Sequence, residues 1–316
     1  GIGLQSLYSQ NSDSDNERTG NVALGMETSF YNVTGQNNTS IGYLAMKGAS
    51  GNSHSNNTAV GSNALLTVTT GSDNVAVGSG AGDAVTDEEG LTLIGRNAGG
   101  ATNLDNGANG LTAVGNEAGA AVTSSSNTTL IGYAAGDAIT SGDSNTAVGR
   151  HALGVVSTGS FNTAVGHDTL NGAAVITGSK NTSLGYQAGE SIQGAGAQNT
   201  CLGAYAGEDI TTGSRNVIIG HEAEPSSATA INEIVIGDSA QGQGSNKAVY
   251  GHTDITDHIF QAGNVGIGIA SPAAPLQVGA DQSDASDLMT SLPGIHVIYA
   301  DSALTGKGGL VLQTND

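Results

Sequence analysis

A short run of alternating polar, small and aliphatic residues recurs along most of the chain. One copy runs from Asn57 to Gly61 with the sequence Asn-Thr-Ala-Val-Gly, and every copy closes on a glycine that follows an aliphatic residue. These glycines, here called marker glycines, recur at intervals of 17 to 20 residues: Gly25, Gly42, Gly61, Gly78, Gly95, Gly115, Gly132, Gly149, Gly166, Gly185, Gly203, Gly220 and Gly237. Such a repeat predicts a solenoid of stacked coils. Its clearest structural positions are Asn57, Val60, Gly61, Val77, Gly78, Val148, Gly149, Val165 and Gly166.

Each copy predicts two short strands and two turns. β-Branched and small residues alternate before the marker glycine, as in Thr58-Ala59-Val60, which suits a strand whose two faces differ. A second aliphatic residue often lies seven positions after the marker glycine, as at Ile139, and predicts a second strand. Asparagine opens many copies, and because asparagine tolerates positive φ we expect it to be a turn residue.

We therefore expect an all-β fold, a β-roll or β-solenoid of about 13 coils with a period of ~17 residues. Seventeen extended residues reach at most about 56 Å, which suffices for a flattened coil and not for a wide three-sided one. The interior of such a coil is thin, with small and β-branched side chains in files. Glycine is abundant, at 50 residues, but the phase-locked aliphatic positions argue against disorder.

The periodicity divides the chain into four segments. Residues 1–20 form an N-terminal connector or an incomplete coil, and residues 21–241 form the repetitive β-roll. Residues 242–279 are predicted to form a small β neck, because the period is lost there and short apolar runs such as Ala248-Val249-Tyr250 remain. Residues 280–316 predict the start of a further β module.

The longest insertions between copies are candidate contact sites. They span residues 48–56, 101–110 and 171–178. Insertions in solenoids fall on one face, which is often the binding face. We therefore name Asn103, Asp105 and Asn106 of the second insertion as candidate receptor contacts.

A second group of candidates lies just after the marker glycines. Tyr43, Tyr133 and Tyr186 each follow a marker glycine directly, and Tyr205 lies nearby in its own copy. Exposed tyrosines in one file could stack on sugars. His167 and His221 occupy the same position as these tyrosines, which is consistent with a surface or trimer-facing stripe, since no metal-ligand spacing is present.

Composition limits the classes of function. The net charge of −20 and only eight Lys and Arg residues disfavour both nucleic-acid binding, which needs a basic surface for the phosphates, and binding to an anionic membrane. The sequence predicts no membrane insertion and no cofactor; the acidity is compatible with Ca²⁺, but no calcium motif predicts it. The single cysteine, Cys201, stands where other copies have alanine and is expected to be buried.

Nothing in the pattern predicts an enzyme. Acidic residues lie five positions after the marker glycine in four copies: Asp83, Asp137, Glu190 and Glu208. No carboxylate pair stands out from the repeat, and aromatic residues, common in glycan-cleaving clefts, make up 3% of the chain. We expect no catalytic residues and no resident metal.

The Asn-Thr-Ala-Val-Gly repeats resemble the head repeats of trimeric autotransporter adhesins (YadA-like). The likeness covers residues 21–241 and implies a β-roll that associates as a trimer. A second likeness is to phage tail fibres, in which similar repeats precede a segment like Gly263 to Pro272 (Gly-Asn-Val-Gly-Ile-Gly-Ile-Ala-Ser-Pro), followed by Leu276-Gln277-Val278. The order of the two elements favours the phage-fibre likeness.

The phage-fibre likeness implies a structural and adhesive protein of the virion, a shaft or receptor-binding segment that attaches to a host surface. Its implied partners are further copies in a homotrimer, other fibre or baseplate proteins, and a host cell-surface glycan or protein. One alternative is the head of a bacterial trimeric adhesin on the cell surface. A second alternative is a glycan-degrading tailspike.

Overall fold

The computed structural model describes residues 1–10, 19–100, 108–172, 174–258, 265–267 and 276–278. The chain divides into two compact units, Gly1–Ile255 and Thr256–Asp316. None of the described residues forms an α-helix. The predicted further module at residues 280–316 lies outside the described residues.

The first unit is a single parallel sheet whose strands follow one another in sequence order. Its fourteen strands, three residues each, are β1 Val22–Leu24, β2 Thr39–Ile41, β3 Thr58–Val60, β4 Val75–Val77, β5 Thr92–Ile94, β6 Thr112–Val114, β7 Thr129–Ile131, β8 Thr146–Val148, β9 Thr163–Val165, β10 Thr182–Leu184, β11 Thr200–Leu202, β12 Val217–Ile219, β13 Ile234–Ile236 and β14 Ala248–Tyr250. Each coil is numbered by its strand. The predicted all-β solenoid of about 13 coils with a period of ~17 residues is confirmed.

Neighbouring strands pair in register, so equivalent residues form files along the stack. Val60 pairs with Val77, and Val148 pairs with Val165. The middle residue of each strand from β1 to β13 is buried inside the coil, while the residues on either side of it face outward. The small residues therefore fill the interior, and the aliphatic residues before the marker glycines form an outer file.

The predicted second strand of each repeat is not formed among the described residues. Only isolated bridges occur there, such as Val156 with Ile176. The reason is the backbone between the marker glycine and the second aliphatic residue, which takes positive φ at alternate positions, as at Asn63 (61°) and Leu65 (48°). The aliphatic residues at these sites are buried core residues within a turn: Val68, Val85, Val122, Ile139, Val156, Ile192 and Ile210.

The interior is filled by complementary sizes of side chain. In coils 5 and 7 a strand leucine meets a turn glycine: a Cβ on Gly136 would lie 2.6 Å from Cδ2 of Leu130. In coils 3, 8 and 9 the sizes are reversed, with an alanine on the strand and a leucine in the turn. The alanines and leucines of these pairs belong to one hydrophobic cluster, and the glycines leave the space that the leucines fill: Ala59 with Leu65, Leu93 with Gly99, Leu130 with Gly136, Ala147 with Leu153, and Ala164 with Leu170. The interior is therefore closely packed by aliphatic side chains of complementary size, without buried Phe or Tyr side chains among the described residues.

The asparagines that open the copies form a buried ladder, and their predicted role as turn residues is wrong. Positive φ belongs to the preceding residue, as at Asn56 (59°). Asn57 itself is buried; its Oδ1 accepts the backbone N–H of Asn74 at 3.0 Å, and its Nδ2 donates to the carbonyl of Gly71 at 2.8 Å. Each such side chain therefore binds the next coil and satisfies buried backbone groups that the turn leaves unpaired.

Two features of the structure require glycine at the marker positions: a positive φ and the close approach of the next coil. Gly61 has φ of 143°, and a Cβ there would lie 2.3 Å from the carbonyl oxygen of Gly78. An L-residue with a side chain meets both obstacles at once. The sequence repeat is strict at this position because the backbone of the next coil occupies the space.

The ends of the first unit extend the stack beyond the sequence repeat. Residues 1–10 lie on the first coil as an incomplete coil, with the Ile2 N–H donating to the carbonyl of Ala23 at 2.9 Å. At the other end, Ala248–Tyr250 pairs with Ile234–Ile236 as one more strand of the same sheet. This strand lies in the segment predicted as a β neck, and a shorter connection than in the repeat brings the chain back into register. In the second unit, β15 (Val265–Ile267) pairs in parallel with β16 (Leu276–Val278).

Candidate binding surface along the turns

In most coils the two residues after the marker glycine direct their side chains outward, although in coil 7 the second of them, Ala134, is buried. The residue directly after the glycine lies in the turn, and the next residue often has positive φ, as at His151 (52°) and Tyr205 (59°). The side chain after these two is small and buried, as at Ala135 and Ala206. Because the coils stack in register, the two outward positions form a continuous surface along the solenoid.

Coils 7 to 12 carry aromatic and basic side chains at these positions. We call this set the aromatic platform, and it comprises Tyr133, Arg150, His151, His167, Tyr186, Tyr205 and His221. Ring centroids of neighbours lie 5.4 Å apart for Tyr133 and His151, 5.4 Å for His167 and Tyr186, 5.2 Å for Tyr186 and Tyr205, and 6.3 Å for Tyr205 and His221. Such separations are typical of interacting aromatic rings.

Arg150, in coil 8, connects the platform residues of coils 7 and 9. Its guanidinium carbon lies 5.9 Å from the ring centroid of Tyr133, and its Nη1 donates to Nε2 of His167 at 2.7 Å. Since Arg150 has only donors, His167 accepts through Nε2, and its Nδ1 lies 3.0 Å from a carboxylate oxygen of Asp168. The platform is thus fixed by contacts between coils before any ligand arrives.

Carboxylates lie beside the platform. Burial raises the pKa of Asp137, an effect that the nearby His151 partly opposes. Burial also raises the pKa of Glu190, and the charge of Glu208 acts in the same direction. The strip beside the rings is therefore rich in hydrogen-bond acceptors, and its carboxylates repel further negative charge.

An open cleft of about 450 Å³ lies at the end of the platform, lined by Tyr205, Glu208, Asp209, Glu222, Glu224 and Gln241. Glu224 accepts the backbone N–H groups of Glu208 and Asp209, both at 3.0 Å. Burial is the main reason that the pKa of Glu224 is raised to about 7, with the charge of Asp209 also raising it and the two N–H bonds lowering it. Near neutral pH this carboxyl is partly protonated.

The outer file of the sheet is a second surface, and it is apolar. The file residues in coils 3, 4, 8 and 9 are half-buried valines. Five larger members are more exposed: Leu24 (46%), Ile94 (39%), Ile131 (39%), Leu184 (45%) and Leu202 (40%). A contiguous apolar stripe of this length is typical of an interaction surface.

The structure brings together some of the predicted contact residues and separates others. Tyr133, Tyr186 and Tyr205 belong to the platform. Tyr43 has the same position after a marker glycine and is 49% exposed, but it lies five coils away from Tyr133. Asn103, Asp105 and Asn106 lie outside the described residues.

Two of the predicted contact insertions are built into the stack. In residues 48–56, the Nδ2 of Asn52 donates to the carbonyl of Val68 at 3.1 Å. His54 from the same insertion is fully buried, and neither ring nitrogen has a hydrogen-bond partner among the described residues. Burial disfavours its charged form and lowers the pKa of His54 to about 4. In residues 171–178, Ile176 is buried and bridges to both neighbouring coils.

Two features of this surface were not predicted from the sequence: the Arg150–His167 contact and the cleft around Glu224. Arg150 and His167 follow consecutive marker glycines, so the repeat alone places them in neighbouring coils. Glu224 stands where many coils have glycine or leucine, and this break in the pattern marks the cleft.

Cys201 is buried at the interior strand position, as expected, and burial raises its thiol pKa to about 12. The described part of the chain contains no group of three or more His, Cys, Asp or Glu arranged to hold a metal ion. It also contains no apolar helix of membrane-spanning length. No known family model matches the chain, and no curated protein is significantly similar to it.

Proposed function

We propose that the chain is a structural and adhesive fibre segment, the shaft or receptor-binding part of a phage tail fibre in the virion, which attaches the particle to a host surface. The observation that carries this proposal is the apolar outer file on a rod of stacked coils. Thirteen steps at ~4.8 Å give the sheet a length of about 60 Å. A thin rod with an exposed apolar stripe favours assembly side by side with copies of itself.

The proposed assembly is a homotrimer that meets through the outer file. Ile94, Ile131 and Leu184 are large, exposed and in one line, so three copies could bury them around a common axis. The charge of −20 on each chain opposes unspecific aggregation of such a stripe. Further proposed partners are other fibre or baseplate proteins and a host cell-surface glycan or protein, with no enzymatic step and no cofactor.

Sedimentation velocity on the intact chain tests the assembly. We expect the mass of a trimer at micromolar concentration, and a shift to monomer for the double variant Ile131→Glu, Leu184→Glu with an unchanged circular dichroism spectrum. Ser62→Glu, a charge added after a marker glycine, is the control and should remain trimeric. A monomeric wild-type chain at tens of micromolar would contradict the assembly, and failure of the labelled chain to adhere to any candidate host cell would contradict the attachment.

The cleft around Glu224 favours one alternative, a glycan-degrading spike. A carboxyl whose pKa is near 7, beside the carboxylates of Glu208 and Asp209, has the protonation needed for a general acid. Incubation with host polysaccharide and a reducing-sugar assay separates the alternatives. Release of sugar by the wild-type chain, abolished in Glu224→Gln, would replace the non-enzymatic proposal.

A further inference from the structure

We infer that the aromatic platform binds a neutral, hydroxyl-rich polysaccharide that lies along the solenoid axis across coils 7 to 12. This inference rests on the proposed attachment function and names the class of receptor for it. It concerns the turns, whereas the proposed self-association uses the outer file of the strands.

The length and continuity of the platform favour a linear polymer. Its members come from six successive coils, so at ~4.8 Å per coil it extends over about 24 Å. Every step along it is bridged by a ring–ring contact or by Arg150. Tyr133 and Tyr186 remain 48% and 44% exposed, so ring surface is open at both halves. A surface this long and narrow matches an extended chain better than a compact ligand.

The chemistry of the platform matches sugar rings. The C–H faces of a sugar stack on aromatic rings, and its hydroxyl groups donate to carboxylates. The platform offers both partners, since Asp168 adjoins His167, and Asp238 lies 3.4 Å from Nδ1 of His221. Gln187 and Glu190 lie beside Tyr186 and are hydrogen-bonded to each other, so they form a fixed polar border. A few placed polar groups beside apolar surface are typical of a ligand site.

Charge decides between neutral and anionic polymers. The chain carries a net charge of −20, and Arg150 is the one Lys or Arg on the platform. The flanking carboxylates of Asp168, Glu190 and Glu222 would repel an acidic chain over the same distance. A cationic polymer would be repelled by Arg150 in coil 8 and attracted by these carboxylates, so the cationic probes below test that alternative directly. A neutral chain meets no charge repulsion along the platform.

The test measures binding of the intact wild-type chain to defined polymers by isothermal titration and affinity electrophoresis. The probes are neutral dextran, mannan and galactan, anionic alginate, and cationic chitosan and polylysine. We expect binding to at least one neutral polymer with little dependence on salt, because counterion release contributes nothing to a neutral ligand. No binding to any neutral polymer, or tighter binding of an anionic or cationic probe, overturns the inference.

Two platform variants and a matched control locate the site. Tyr186→Ala and Tyr133→Ala should each weaken the binding at least tenfold, since each removes one ring from a chain of contacts. Tyr43→Ala removes an equally exposed tyrosine from the same position outside the platform and should leave affinity unchanged. Equal losses in all three variants, or no loss in the platform variants, overturn the inference.

Failure of the inference is distinguishable from failure of the proposed function. If the labelled trimer adheres to host cells but Tyr186→Ala and neutral polymers leave the adhesion unchanged, only the receptor class is wrong. If the chain neither forms a trimer nor adheres to cells, the proposed function is wrong as well.

Discussion

Exchanging the sizes of two interior side chains in coil 7 tests how the core is packed. Leu130 is fully buried and fills the space left by Gly136, whereas coils 8 and 9 hold alanine and leucine at the corresponding positions. Leu130→Ala together with Gly136→Leu therefore converts coil 7 to an arrangement that the chain already uses. Leucine is tolerated in this turn position with positive φ, as Leu153 shows at 56°.

The structure sets the expected magnitudes. Leu130→Ala alone should lower the free energy of unfolding by about 2–5 kcal/mol, because it opens a cavity in a closed core. Gly136→Leu alone should also destabilise, since its Cβ would lie 2.6 Å from Cδ2 of Leu130 and the left-handed conformation costs about 1–2 kcal/mol for a non-glycine residue. In the double variant the new leucine fills the cavity, so we expect a loss at least about 2 kcal/mol smaller than the sum of the single losses.

Urea unfolding followed by circular dichroism measures the four free energies, at one fixed protein concentration so that self-association contributes equally. Because coils unfold with their neighbours, the same cycle at Ala147→Leu and Leu153→Gly provides a second, reversed measurement. Additive losses in both cycles would show that the strand and turn side chains do not share one space, and the packing account would be wrong.

Three further experiments test the stack at other positions. Asn162→Ala should lower the free energy of unfolding, measured in urea, by about 3 kcal/mol. It leaves the backbone N–H of Asn181 without its 2.9 Å acceptor and the buried carbonyl of Gly178 without its donor. A loss below about 0.5 kcal/mol would show that the asparagine ladder does not stabilise the stack. Gly149→Ala should abolish or strongly weaken folding in a thermal melt, whereas Gly90→Ala, with no atom within 4 Å of the added Cβ, should cost about 1 kcal/mol; similar melting temperatures would refute the close-approach argument. His54 has a lower pKa in the folded chain than the ordinary 6.5, so the unfolded chain binds the proton first, and stability should fall by about 3 kcal/mol as pH drops from about 6.5 to about 4. His54→Leu should flatten that pH profile in urea titrations, and an unchanged profile would exclude His54 as its source.

The number and spacing of the coils could be predicted from the sequence because every coil requires a glycine at the marker position. A Cβ at Gly61 or Gly149 would meet the backbone of the next coil, so the requirement repeats with the structure. The tyrosines of the platform were found in the same way, since Tyr133 and Tyr186 occupy one repeat position.

The direction of the strand faces did not follow from the sequence. Ala59 and Val60 are both apolar, so alternation shows that two faces differ without showing which one encloses the core. The narrow interior decides, because Leu65 from the turn already occupies the space beside Ala59. The asparagine ladder was missed for a similar reason: an asparagine next to a turn fits either role, and only the backbone places positive φ on Asn56 and not on Asn57.

Disulfide formation between neighbouring coils tests the in-register stack most directly. In a Cys201→Ala background, Val148→Cys and Val165→Cys are direct strand partners at a separation of ~4.8 Å, within the range that a disulfide bridges. Val148→Cys with Thr163→Cys is the control, displaced by two residues along the same face and about 8 Å apart. We predict rapid intramolecular oxidation of the first pair and none of the second, measured by free-thiol titration and non-reducing electrophoresis. Oxidation of the control pair in preference to the first would contradict the register on which the whole account depends.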